Sequence, residues 1–279
     1  MVESQPSKLL VAGSIPVSRS MFSRFAALVA LAAAAIACRS LNAPAGVSRD
    51  MASSIPADTL LLAGLNLDEL RASPVYPKLP PAVRAFAEPL RDAGYLLLAS
   101  HGRDLLAIAR GRFREAPPGA TLVAPGLAVT GSPDSVRAAV AQRKTGRDGA
   151  PDLLARAASL ADGKQIWMVA RGGVALPVSG NAANLNRLLR DTEYAAIAAR
   201  IDSRIEIEAT AVGRTAEAGR EFEENLRAIL SLTAAANAHQ PDLVALIHSI
   251  RISREDRTVR LAVSCGPDAA ASLLGLIAR

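Results

Sequence analysis

An echo between two distant stretches constrains the fold more than any other feature. Leu127-Ala-Val-Thr-Gly-Ser-Pro-Asp134 returns as Leu261-Ala-Val-Ser-Cys-Gly-Pro-Asp268. Each reads as an apolar strand, a turn of small residues and a helix that opens on proline. Proline suits the first helical turn, where its missing N–H would have had no partner anyway. The aspartate beside it meets the positive end of the helix dipole. Strand-to-helix junctions in general use this capping chemistry, so position must carry part of the argument. Both stretches close a comparable series of strands and helices. That predicts two related units, residues 56–150 and 151–279, the second with an insertion around a long helix.

Short apolar runs divided by polar turns fill both units. Residues 59–67 lack alternation and predict a strand buried on both faces. A helix is expected over 81–91, with Pro81 in its first turn. Residues 95–100 and 105–113 flank His101-Gly-Arg-Asp104 and predict a hairpin. Residues 121–130 read as one strand, and 133–142 as a helix capped by Ser132. A polar connector over 143–151 leads to a short helix at 152–160 and a strand at 165–171. Asn181 is placed to cap a helix with Leu185, Leu188, Leu189 and Ala196 on one face. Residues 204–212 alternate, with Ile205, Ile207 and Ala209 opposite Arg204, Glu206 and Glu208, as a half-exposed strand does. The strongest helix is 215–236, with Phe222, Leu226, Ile229 and Leu230 as its apolar stripe. A short helix at 242–247, a hairpin of 250–253 with 258–264, and a helix at 268–278 complete the chain. Hairpins this frequent exclude a doubly wound parallel sheet. They predict an α+β fold of two mainly antiparallel sheet-plus-helix repeats, ferredoxin-like in order. The layout resembles uncharacterised exported bacterial proteins with paired ferredoxin-like repeats, a resemblance of pattern that implies a fold and no activity.

Residues 25–37 run Phe-Ala-Ala-Leu-Val-Ala-Leu-Ala-Ala-Ala-Ala-Ile-Ala. The run is uncharged and has the length of a signal-peptide core. It falls short of the roughly 20 residues that span a bilayer as a helix. Arg19 and Arg24 supply the basic flank, and Met21 offers an alternative start for a signal peptide occupying 1–37. Ala35-Ile-Ala-Cys38 resembles the lipobox of bacterial lipoproteins, with alanine at 35 where that family more often carries leucine. The resemblance implies cleavage before Cys38 and diacylglycerol on its sulfur. Ala35-x-Ala37 also suits ordinary signal peptidase, which makes soluble secretion the alternative; an uncleaved anchor or a buried helix stays open as well. Arg39 stands where an acidic residue often marks inner-membrane retention, which leaves outer-membrane delivery open. Residues 38–55, small and polar without periodicity, read as a lipid-anchored flexible tether.

Hydrophobic residues make up 50% of the chain but aromatics only 3%, so the core must be built from Ala, Leu, Val and Ile. The net charge of +6 invites a nucleic-acid reading. No dense basic run supports it, since such readers concentrate their charge on one face. Cys38 and Cys265 cannot form a disulfide framework, and Cys265 reads as a small buried hydrophobe at a strand end. His101, His239 and His248 lack the spacing of a metal site. No CxxC, HExxH, GxSxG or P-loop motif occurs, so no catalytic residue, metal or cofactor is assigned.

Five residues are candidates for binding. Trp167 is the lone tryptophan, a recognition ring if exposed and a core filler if not. Asn181 and Asn184 could line a polar pocket for a sugar or peptide, or cap and solvate a helix end. Arg251 and Arg260 share one face of the last hairpin, while Glu206 and Glu208 face outward on their own strand. Together they suggest a charged sheet face for an acidic partner or anionic lipid, or else plain surface ion pairs. The expected function is a non-catalytic envelope lipoprotein facing the periplasm or the exterior. It would be joined to a membrane by its lipid anchor and would bind or scaffold an unidentified protein or ligand, with no nucleic acid. The alternative is a hydrolase-like envelope enzyme with a site assembled from scattered Ser, Asp, Glu and His.

Overall fold

The computed structural model describes residues 47–78, 90–101, 104–173, 189–266 and 269. The sheet strands are β1 (Leu61–Asn66), β2 (Ala93–His101), β3 (Asp104–Gly111), β4 (Thr121–Ala124), β5 (Leu127–Gly131), β6 (Ile166–Arg171), β7 (Thr192–Ile201), β8 (Ile205–Gly213), β9 (Arg251–Glu255) and β10 (Thr258–Cys265). They form a single antiparallel sheet in the order β4-β5-β3-β2-β1-β6-β7-β8-β10-β9. The fold is therefore mixed α+β, dominated by one large antiparallel sheet. The expectation of two sheets is corrected: β1 pairs with β6 from Leu61↔Ala170 to Leu65↔Ile166, and this ladder joins the halves. β1 also pairs directly with β2. Each half thus opens as a meander, whereas a ferredoxin-like unit places another strand between the first two.

Six helices accompany the sheet among the described residues: α1 (Arg49–Ala52), α2 (Leu67–Ala72), α3 (Pro133–Lys144), α4 (Pro151–Leu160), α5 (Ala216–Ala236) and α6 (Pro241–Ser249). Strand side chains alternate between faces, and the sheet carries a separate core on each. On the first face Leu62, Leu97, Leu106, Ile108, Val129 and Trp167 pack with residues of α1, α3 and α4. On the second, Leu65, Leu96, Leu98, Ile166, Ile205 and Ile207 pack with Leu67 and Leu70 of α2, Phe222 of α5 and Leu246 of α6. Two covered faces explain the unbroken apolar run of β1, buried from Leu61 through Leu65.

Local chemistry starts the helices where expected. Ser132 Oγ accepts the Ser135 N–H at 3.2 Å, with Pro133 in the first turn of α3 and Arg143 and Lys144 in its last. Thr215 Oγ1 accepts the Ala218 N–H at 3.1 Å at the start of α5. Burial by a half-apolar stripe holds the rest of such a helix in place.

Three expectations require correction. First, the tether does not run to residue 55. Met51 and Ile55 have no exposed surface, Ser54 is buried, and the Gly149 N–H donates to Ala52 O at 3.2 Å. Val47 already packs on the first-face core. Second, residues 121–130 are two strands. Pro125-Gly126 turns between them with Gly126 at φ 68°, the left-handed conformation that a Pro-Gly turn requires. Third, Ala196 lies on β7 and not on a helix. Leu189, expected on the same helix, sits instead in a single 3-10 turn, Leu189–Asp191. The rest of the helix expected from Asn181 lies outside the described residues, as do residues 81–89 of the one expected at 81–91 and all but residue 269 of the one expected at 268–278.

The echoed segments form β5 and β10, but on opposite faces. Leu127 and Val129 belong to the first-face core, Leu261 and Val263 to the second. A rotation that exchanges antiparallel neighbours β1 and β6 leaves each sheet face on its own side. The echo is therefore no match in space; it reflects what a strand needs when it turns through small residues.

Candidate functional site

Trp167 is 1% exposed, so the recognition-ring reading is corrected to that of a core filler. Its position follows from β6 alternation, which sends Trp167 and Val169 to the first face. There the indole Nε1–H donates to Tyr95 Oη at 2.9 Å. Burial pushes the Tyr95 phenol up to about 12, and the Arg110 guanidinium lies 5.9 Å from its ring centre. Gly64 sits opposite Trp167 in the ladder, and any side chain there would enter the indole ring. The large ring is admitted by the missing one.

Arg251 and Arg260 remain exposed, and register places them with the two glutamates on one sheet face. Ala262 of β10 pairs with Arg251 on one side and Glu208 on the other, while Arg260 pairs with Thr210 and Ser264 with Glu206. Arg200 of β7 stands opposite Glu206. This is the first face again, beyond the reach of α4, and so it presents Arg, Glu, Ser and Thr to solvent. Arg260 pairs with Glu255 and Lys164 with Glu208, each at 3.0 Å. Arg200, Glu206 and Arg251 form no ion pair among the described residues. Cys38, Asn181 and Asn184 lie outside the described residues.

The sequence reasoning missed a denser charged cluster where β6 ends and β7 begins. Arg171 holds Asp152 with two hydrogen bonds, at 2.9 and 2.7 Å. These bonds keep the Asp152 carboxyl below its ordinary range and raise the guanidinium. Arg156 lies 3.6 Å over the Tyr194 ring and 3.4 Å from Glu193, whose other oxygen meets Arg257 at 2.7 Å. Each contact ties α4 or the β9–β10 turn to the central strands. Partners this distant in sequence left no local signal.

Scattered Ser, His and Asp do meet at one place. His101 Nδ1 is 3.7 Å from Asp58, and Nε2 is 3.4 Å from Ser135 Oγ, which lies 2.9 Å from Ser132 Oγ. The order is that of a nucleophile, base and acid, but Ser135 has no exposed surface. A substrate carbonyl cannot reach an enclosed hydroxyl, so the group closes the start of α3. His239 and His248 are exposed on the α5–α6 arm. Cys265 is buried, and desolvation raises its thiol, which suits packing and not nucleophilic attack. No set of three His, Cys, Asp or Glu fit to hold a metal ion occurs among the described residues. No helix among them is long and apolar enough to cross a membrane.

No protein family matches the sequence, and no curated protein matches it. Among solved structures the chain is similar to crystal form I of TP0453, with a TM-score of 0.50 at 8% identity over 86% of this chain and 100% of that one. Crystal form III of TP0453 gives the same score and identity over 81% and 97%. At so low an identity the likeness shows a shared fold alone.

Proposed function

We propose that the chain is an exported envelope lipoprotein, anchored by lipid on Cys38, that presents a non-catalytic module for binding or scaffolding. The observation that carries the reading is the thirteen-residue uncharged run 25–37, too short to span a bilayer as a helix and ending in Ala-Ile-Ala-Cys38. The module would consist of two related five-stranded repeats. Support comes from strand order: outward from the central ladder one half reads β1-β2-β3-β5-β4 and the other β6-β7-β8-β10-β9. The opposite facing of Leu127 and Leu261 restricts the relationship to the order of elements. The binding surface would be the uncovered face of β8, β10 and β9, with Arg251 and Arg260 as its cations.

Intact mass of the membrane-extracted protein tests the anchor. A chain that starts at Cys38 and carries acyl mass is expected; one that retains residues 1–37, or a soluble chain cut there without acyl groups, overturns it. Capture of partners from solubilised envelope tests the module. Arg251→Glu with Arg260→Glu should lose the captured partner. Recovery of none by the unaltered protein counts against scaffolding.

A further inference from the structure

Because Val47 packs on the first-face core, no more than residues 39–46 can separate the module from an anchor at Cys38. Whatever its conformation, that stretch spans at most about 32 Å from Cys38 to Val47. A compact domain of this size is about 45 Å across. The module therefore cannot turn its far side to the bilayer. Whatever surrounds Val47 lies near the lipid.

That pole is basic and internally braced. The Arg143 guanidinium donates to Asp50 O at 2.9 Å and Ser53 Oγ at 3.3 Å, fixing the end of α3 to α1. The turn after α3 is held by Gln142 Nε2 donating to Arg147 O at 2.8 Å and the Arg147 N–H donating to Thr145 Oγ1 at 3.1 Å. Arg49, Lys144 and Arg147 are exposed there. The carboxylates alongside are Asp148, exposed, and Asp50, which Arg143 faces at 4.0 Å. Positive charge is left over, and none of the three exposed side chains has an ion-pair partner among the described residues.

Resting on the anchor reading, we propose that this pole is a docking surface for anionic phospholipid headgroups. Arg49, Lys144 and Arg147 would meet phosphate and orient the module on the bilayer. A few basic side chains near an anionic surface attract it too weakly to recruit a free protein. For a module already tethered the contact is intramolecular, and modest energies suffice.

Lysine footprinting reads this directly. Lys144 and Lys164 report from the docking pole and the uncovered sheet face. The acylated full chain is placed on vesicles of phosphatidylglycerol with phosphatidylcholine, on phosphatidylcholine alone, and in detergent. Amine acetylation is then followed by mass spectrometry. On the anionic vesicles Lys144 should react at least about threefold more slowly relative to Lys164 than on neutral ones, the scale of a contact worth under 1 kcal/mol. The variant Arg49→Glu with Arg147→Glu should lose that protection, and both positions are exposed enough to spare the fold. Equal Lys144 reactivity on the two kinds of vesicle overturns the docking surface while leaving the anchor intact. A chain whose intact mass lacks acyl groups overturns the anchor and the docking together.

Discussion

At the scale of single residues, the pair Gly64 and Trp167 shows how one position dictates another across a ladder. Gly64→Ala places a methyl group inside the indole, and overpacking of this kind costs about 1–3 kcal/mol. Trp167→Leu loses ring burial but frees that space. Denaturant unfolding of both single variants and the double should show the double less destabilised than the summed singles; additivity would mean the two do not share space. Tyr95 gives a pH-dependent prediction. Its phenol is raised from 10.0 to about 12, first because burial disfavours phenolate. The folded state therefore keeps a proton that the unfolded chain releases. That stabilisation is full below pH 10 and is lost as pH rises towards 12. Stability should fall more steeply over that interval in the unaltered protein than in Tyr95→Phe, and parallel slopes would refute the assignment.

Among elements, α1 is the unexpected one. Four residues cannot hold a helix alone, so Arg49–Ala52 is helical because Met51 drops into the first-face core and Arg143 clamps the backbone. Met51→Ala should cost about 2–5 kcal/mol, as removal of a fully buried side chain does. A thermal midpoint unchanged in that variant would return residues 49–55 to the tether. β7 carries a related lesson. Its Thr-Glu-Tyr-Ala-Ala-Ile-Ala-Ala-Arg-Ile suits a helix by propensity. Ladders to β6 and β8 hold it extended, and Ala198 is small enough to lie beside Trp167. The turn at Pro125-Gly126, by contrast, had a local signal in its dipeptide, which the reading of 121–130 as one strand passed over.

For the molecule as a whole, the continuous sheet changes what the two halves mean. Leu62 and Leu97 from one half enclose Trp167 from the other, and Ile166 lies with Leu65 on the reverse face. Cut after residue 150, each half would expose a central strand edge and half of two cores. Chains 47–150 and 151–279 expressed separately should therefore show no cooperative unfolding transition, while the joined protein shows one. Two independent transitions in the halves would restore the picture of two domains.

Much of the element list was legible because it is local. Alternation marked β8, two short runs about a polar turn marked the last hairpin, a cap marked α3 and an apolar stripe α5, and parity placed Arg251 and Arg260 outward. Composition also settled that the core would be aliphatic. What local sequence could not contain was which strand lies beside which, since pairing energy belongs to residues a hundred positions apart. Tertiary structure alone decided that Trp167 is enclosed, that Leu127 and Leu261 look opposite ways, and that Arg156 finds Tyr194 and Glu193. It also drew α1 out of an apparently shapeless segment, because a buried methionine outweighs the weak preferences of the residues around it.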